Sequence, residues 1–121
     1  METMKFIQRF EGWKSFFRPS KHFVLELLDE CIIEESYYYD QFNCHFQKYK
    51  GRNFVYVLEN GEQIIYIGHT KNLYTRIIDH KMNYNFTKFY IFEYDKYILL
   101  EKERAFIYLF QPEFNTRSKK S

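Results

Sequence analysis

The sequence predicts an α+β domain, in which a small three-stranded antiparallel sheet is flanked by helices. The local patterns after residue 53 follow the order strand, strand, helix, strand, helix. Hydrophobic residues make up 45% of the 121 residues and aromatic residues 22%, which is enough for one buried core. We therefore predict a β-β-α-β-α core domain over residues 53–121. A helical extension over residues 1–52 is predicted to pack on it.

Two strands joined by a tight turn begin the core domain. Residues 54–58 and 63–67 are rich in β-forming side chains. Asn60-Gly61 between them is a strong hairpin signal, because both residues tolerate the positive φ angles of a two-residue turn. A similar run over residues 88–94 predicts the third strand.

Helical signals predict the remaining core elements and the extension. Thr70 is a fair N-cap for a helix over residues 71–81, and a last helix over residues 96–110 ends before Pro112. Two further helices are predicted in the extension, whereas residues 32–49 show no clear period. The first of these carries an aromatic stripe, formed by Phe6, Phe10, Trp13 and Phe17.

The charges are unevenly distributed along the chain. Residues 1–40 hold 5 basic and 8 acidic side chains, whereas residues 41–121 hold 13 and 8. The basic part could face a polyanion, although on charge alone ordinary surface charge is the favoured explanation. No apolar run approaches the length of a membrane helix, and charges interrupt the N-terminus early, so we expect a cytoplasmic protein with no membrane partner.

A set of polar side chains is expected to converge beside the hairpin. Tyr56 and Tyr66 fall on its two strands, and Asn72, Arg76 and His80 form one stripe of the following helix. A phenol can hold a water molecule or accept its proton, and a guanidinium suits a phosphate. The alternative is that the tyrosines only pack and the arginine is solvated.

Glu103 falls within the apolar sector of the last helix, whereas Glu101 points nearly the opposite way. A carboxylate on a core-facing stripe is costly unless it is paired or binds a metal. Two roles for Glu103 therefore stay open, a salt bridge with a residue such as Arg76 or coordination of a divalent cation.

Residues 53–115 resemble the GIY-YIG nuclease family. The resemblance is carried by Phe54-Val55-Tyr56, Tyr66-Ile67-Gly68, Arg76, Glu103 and Asn115. Phe54 departs from the family's pattern, since it replaces the first glycine, and the segment between Arg76 and Glu103 is short. The resemblance implies an endonuclease that hydrolyses phosphodiester bonds in DNA with one divalent cation, Mg²⁺ or Mn²⁺.

The resemblance also implies a role for each matching residue. Glu103 would bind the metal, Tyr56 would act as the general base or position the water, and Tyr66 would complete the water and phosphate site. Arg76 would stabilise charge on the phosphate. Asn115 would support the hydrogen bonds of the site, and His80 occupies a helical position where the family often has Tyr or His. DNA contacts are expected from His69, Lys71, Asn72, Arg76 and Lys88.

Two other functions stay open at this point. A GIY-YIG fold could bind nucleic acid without cutting it, or the aromatic residues 37–39 could bind another protein. The extension could supply specificity through its basic residues, pack on the core or form a homodimer.

Overall fold

The computed structural model describes residues 21–61, 63–112 and 114–115. The helices are α1 (Lys21–Leu27), α2 (Leu73–Asn83) and α3 (Leu99–Phe110). The strands are β1 (Ile33–Tyr38), β2 (Phe54–Asn60), β3 (Gln63–Thr70) and β4 (Lys88–Glu93). Two 3₁₀ helices, Tyr39–Gln41 and Cys44–Tyr49, connect β1 to β2. The first predicted helix, with its stripe from Phe6 to Phe17, lies outside the described residues.

The sheet has four strands in the order β1-β4-β2-β3, and every neighbouring pair is antiparallel. This confirms the α+β class and corrects the predicted three-stranded sheet. The additional strand is β1, which pairs with β4 from Ile33 opposite Glu93 to Tyr38 opposite Lys88. The segment predicted as a helical extension therefore supplies an edge strand of the sheet.

The predicted hairpin is confirmed. Gly61 has a φ of 67°, in the region that glycine adopts most easily, whereas Asn60 is the last residue of β2 and pairs with Gln63, so the turn begins one residue later than predicted. In the ladder Tyr56 lies opposite Gly68 and Leu58 lies opposite Tyr66. Because alternate residues of a strand face opposite sides, this register sends Tyr56 and Tyr66 to the same side of the sheet.

The sheet separates two apolar clusters. One lies under α1 and α3 and includes Val55, Val57, Phe92 and Phe106. The other lies under α2 and includes Phe54, Tyr56, Leu58 and Ile77. The central strands β2 and β4 are buried on both faces, which explains why both are almost continuously apolar.

The helix boundaries differ slightly from the predicted ones. The Asn72 side chain, rather than that of Thr70, accepts a long hydrogen bond of 3.5 Å from Thr75 N at the start of α2. α3 begins at Leu99 and ends at Phe110, and its C-cap residue Gln111 is left-handed with φ 46° and precedes the buried Pro112. Among the described residues, no helix is both long and apolar enough to cross a membrane.

Candidate active site at the edge of β3

Tyr56 and His80 form a buried pair at the centre of the site. Tyr56 is 1% exposed, and its Oη lies 2.5 Å from His80 Nε2. β2 directs Tyr56 towards α2, and α2 places His80 one turn after Ile77 on its buried side. The structure therefore brings together two side chains that lie 24 residues apart in the sequence.

Gly68 provides the space that the Tyr56 phenol occupies. A Cβ atom at position 68 would lie 2.5 Å from Tyr56 Oη and 2.7 Å from Tyr56 Cζ. Any side chain there would have to displace the phenol, which gives a physical reason for glycine at this position. Phe54 does not crowd this space, because it is fully buried against the ring of Tyr49.

Three further rings cover the outer side of the pair. The Tyr66 ring lies 4.8 Å from the His80 ring and 5.4 Å from that of Tyr84, and Phe114 lies 4.9 Å from Tyr84. Tyr84 and Phe114 were not identified from the sequence. Tyr84 is the C-cap residue of α2, and its spacing of four residues after His80 is the signal that could have identified it.

Burial and neighbouring charges set the protonation states of the site. Burial raises the pKa of Tyr56 above its usual value, as does the neighbouring Tyr66, while the Arg76 charge opposes the shift. Burial also raises the pKa of Tyr66. Burial and then the Arg76 charge lower the pKa of His80 to about 4. At neutral pH both phenols therefore carry their protons and His80 is uncharged.

Glu103 approaches the site around the outer edge of β3. Its Oε1 lies 2.9 Å from His69 Nδ1, and the two side chains are 18% and 41% exposed. Glu103 is thus not buried in the core. Its ion-pair partner is His69, whereas the sequence suggested Arg76 for that role. The charge of Glu103 still acts on the phenols, since it contributes to the raised pKa of both Tyr56 and Tyr66.

Asn115 binds the backbone of the same strand. Its side-chain amide donates to Ile67 O and accepts from Ile67 N, both at 2.7 Å. Within the described part of the chain β3 has a strand neighbour on one side only, so the amide satisfies groups that a further strand would otherwise pair with. Asn115 therefore holds the backbone between Tyr66 and Gly68.

Arg76 is one of the residues that line a groove of about 670 Å³. It is lined by four of the predicted DNA contacts, His69, Lys71, Asn72 and Arg76. It is also lined by Lys96, Gly51 and Asn53, which the sequence did not indicate, because they come from loops distant in the chain.

Lys88, the fifth predicted DNA contact, does not share this groove. It lies opposite Glu59 at the far end of β4, with its Nζ 5.1 Å from the centre of the Tyr38 ring. The groove lies at the other end of the sheet, where Phe54 pairs with Thr70. Lys88 is therefore separated from the other candidates by the length of β2.

Comparison with known proteins does not assign a role to any of these side chains. No protein-family model, no curated protein and no solved structure matches the chain. The roles of these side chains therefore have to be argued from their distances, burial and charges.

Glu103 is chemically suited to a divalent cation. Within the described residues no group of three or more His, Cys, Asp or Glu side chains could enclose a metal ion. Mg²⁺, however, commonly binds one or two carboxylates and takes its other ligands from water and substrate phosphates. A single partly exposed carboxylate near the two phenols fits that pattern.

Proposed function

We propose that the protein is a metal-dependent endonuclease that hydrolyses phosphodiester bonds in DNA. The observation that carries the proposal is the buried Tyr56–His80 pair, which lies within range of the charges of Arg76 and Glu103. A buried phenol bonded to a neutral imidazole can take a proton from water and pass its own proton on. The combination with a nearby cation and a nearby carboxylate matches the needs of phosphate hydrolysis.

The proposed proton path runs from water through Tyr56 to His80. As the water oxygen bonds to phosphorus, its proton moves to Tyr56 Oη and the phenolic proton moves to His80 Nε2. This requires the His80 tautomer that carries its proton on Nδ1, so that Nε2 is free to accept. One P–O ester bond breaks at the same time, and its electron pair leaves with the departing oxygen. The high pKa of Tyr56 prevents loss of its proton to solvent before the water is in place.

Substrate binding is expected to make His80 a better acceptor. The Arg76 charge is the second cause of the low His80 pKa, after burial. A phosphate bound to Arg76 would offset that charge and allow the His80 pKa to rise. Arg76 would thus bind the phosphate in the ground state and stabilise the charge that develops on it.

Glu103 is the residue that would hold the divalent cation. The bound cation would supply electrostatic stabilisation of the phosphate oxygens and of the departing oxygen. His69 hydrogen-bonds to Glu103 and would orient the carboxylate, as neighbours of metal ligands commonly do.

Nicking of a supercoiled plasmid, with and without Mg²⁺, tests the proposal. We expect Mg²⁺-dependent conversion to the open-circular form, which EDTA stops. Absence of cleavage with either Mg²⁺ or Mn²⁺ by a folded protein that binds the plasmid would refute the proposal.

The contact between Glu103 and His69 favours a second candidate. If this pair is a salt bridge with a structural role, the fold would bind nucleic acid without cutting it. A salt-dependent gel shift without any Mg²⁺-dependent nicking would identify this binding module.

A further inference from the structure

An exposed aromatic residue directly follows Lys96, one of the residues that line the groove beside Arg76, which we call the basic groove. Tyr97 is 83% exposed, and Lys96 Nζ lies 5.2 Å from the centre of its ring. The residues on either side of Tyr97 line the groove, Lys96 before it and Leu99 and Leu100 after it. The ring is therefore next to the groove that contains Arg76.

Hydrogen bonds of the turn fix the backbone at Tyr97. Asp95 Oδ1 accepts a hydrogen bond of 2.9 Å from Tyr97 N, and Asp95 O accepts one of 3.1 Å from Ile98 N. The buried Tyr94 precedes this turn and the buried Leu99 follows it. The turn is thus anchored at both ends, and its geometry rather than side-chain packing presents the Tyr97 ring to solvent.

The charge of the groove selects an anionic ligand. Among the described residues that line it, Lys71, Arg76 and Lys96 are basic, and none is acidic. The nearby Asp95 carboxylate already accepts a hydrogen bond from the backbone of the turn. A chain of phosphates would therefore meet several cations along the groove.

The groove on the other side of α3 offers a matched contrast. It has a volume of about 450 Å³ and is lined by two acidic residues, Glu26 and Glu101, and by one basic residue, Lys102. It also contains an exposed tyrosine, Tyr108, which is 71% exposed. Tyr97, just before α3, and Tyr108, within it, thus have similar exposure, and of the two only Tyr97 adjoins a groove without acidic lining residues.

We propose that the basic groove binds an unpaired DNA strand, with phosphates at Lys71 and Lys96 and a base stacked on Tyr97. An aromatic ring stacks on a base face, which an unpaired strand exposes and a continuous duplex hides. The proposal rests on the nuclease function in one respect, since the strand is taken to continue past Arg76 to Tyr56. The substrate class is then DNA with a single-stranded segment.

Fluorescence anisotropy with a short labelled oligonucleotide tests the proposal, with the same sequence measured single-stranded and as a duplex. Measurements in EDTA separate binding from cleavage. Tyr97→Ala should weaken binding of the single strand about tenfold, while binding of the duplex changes little. Tyr97→Phe keeps the ring and should bind like the wild type. Tyr108→Ala is the matched control and should leave both affinities unchanged.

The outcomes separate this proposal from the proposed function. The groove proposal would be overturned if wild type and Tyr97→Ala bound the single strand with equal affinity. It would also be overturned if Tyr97→Ala weakened binding of the duplex as much as binding of the single strand. Either result would count against the groove proposal even if the protein nicks the plasmid. Tyr97-dependent binding by a protein that never cuts would support the groove proposal and refute the nuclease.

Discussion

Tyr56 and Tyr94 lie on opposite sides of the sheet and are both 1% exposed. Burial raises the pKa of each phenol. Their hydroxyl partners differ: Tyr94 donates to the backbone carbonyl of Leu27 at 2.6 Å, whereas Tyr56 Oη contacts His80 Nε2 at 2.5 Å. A backbone carbonyl cannot take over the phenolic proton, whereas a neutral imidazole can. Burial and a high pKa are therefore not signs of function, and the identity of the partner is what distinguishes the two.

The same contrast is found along α3. Glu101 is exposed and lines the groove that α3 shares with α1, whereas Glu103 is half-buried beside His69. The two carboxylates are two residues apart on one helix, so they point in nearly opposite directions. Only Glu103 is close enough to the phenols to affect their pKa values.

The largest effect is expected from the pair Glu103→Gln and Glu101→Gln. Glutamine keeps the volume of glutamate but removes the charge that a hard cation needs. Glu103→Gln should lower the Mg²⁺-dependent nicking rate by about 10³-fold or more, since metal ligation contributes several kcal/mol. Glu101→Gln should nick normally. The measurement is the nicking rate against Mg²⁺ concentration, and a reversed order of the two variants would exclude Glu103 as the metal ligand.

The next largest effect is a pH dependence of the free energy of unfolding, which comes from His80 on α2. The His80 pKa falls from 6.5 to about 4 on folding, so between these values the unfolded state binds more protons. The free energy of unfolding should therefore decrease as the pH falls through this interval, by about 3 kcal/mol. Urea denaturation of wild type and His80→Gln measures the difference. A parallel pH dependence in the two proteins would show that His80 titrates normally.

A smaller effect is expected from Gly68→Ala. The added Cβ would overlap the Tyr56 hydroxyl, and overpacking of this kind typically costs about 1–3 kcal/mol. The cost should be smaller in a Tyr56→Phe background, because the nearest atom is then absent. Thermal or urea denaturation of the four proteins of this cycle gives the coupling. Equal costs in both backgrounds would mean that the Tyr56 hydroxyl is not what excludes a side chain at position 68.

The smallest effect concerns the phosphate contacts. Lys71 lines the basic groove, whereas Lys88 lies at the opposite end of the sheet. Lys71→Ala should weaken DNA binding and reduce the slope of log affinity against log salt by about 1, because one fewer counterion is released. Lys88→Ala should leave that slope unchanged. A change of slope in Lys88→Ala alone would place the DNA on the other end of the sheet.

Local signals explain which parts of the fold could be predicted. The Asn60-Gly61 signal identified the hairpin, because Gly61 has the positive φ that such a turn needs, although Asn60 itself is the last residue of β2. β1 was not predicted, since Ile-Glu-Glu-Ser-Tyr-Tyr is half-buried almost throughout and shows no alternation. That strand depends on pairing with β4, whose paired residues lie 50 to 60 positions later in the chain. Such non-local pairing leaves no period in the sequence.

The site shows the same division between local and non-local information. The stripe of Arg76 and His80 on one helix predicted that His80 would approach the hairpin, and the structure brings it to Tyr56. The contact of Glu103 with His69 and the position of Lys96 could not be predicted, because each depends on how α3 sits against the edge of β3. The role of Gly68 likewise required the position of the facing phenol.

The central claim is that the Tyr56 hydroxyl, and not the Tyr94 hydroxyl, takes part in phosphodiester hydrolysis. The direct test is single-turnover cleavage by Tyr56→Phe and Tyr94→Phe under identical conditions. Each variant removes one buried hydroxyl and leaves one buried acceptor unpaired, so each should lose about 1–3 kcal/mol of stability. Tyr56→Phe should cleave about 10²–10⁴-fold more slowly, whereas Tyr94→Phe should cleave at the wild-type rate. Cleavage by a folded Tyr56→Phe at the wild-type rate would contradict the account and leave Tyr56 as a packing residue.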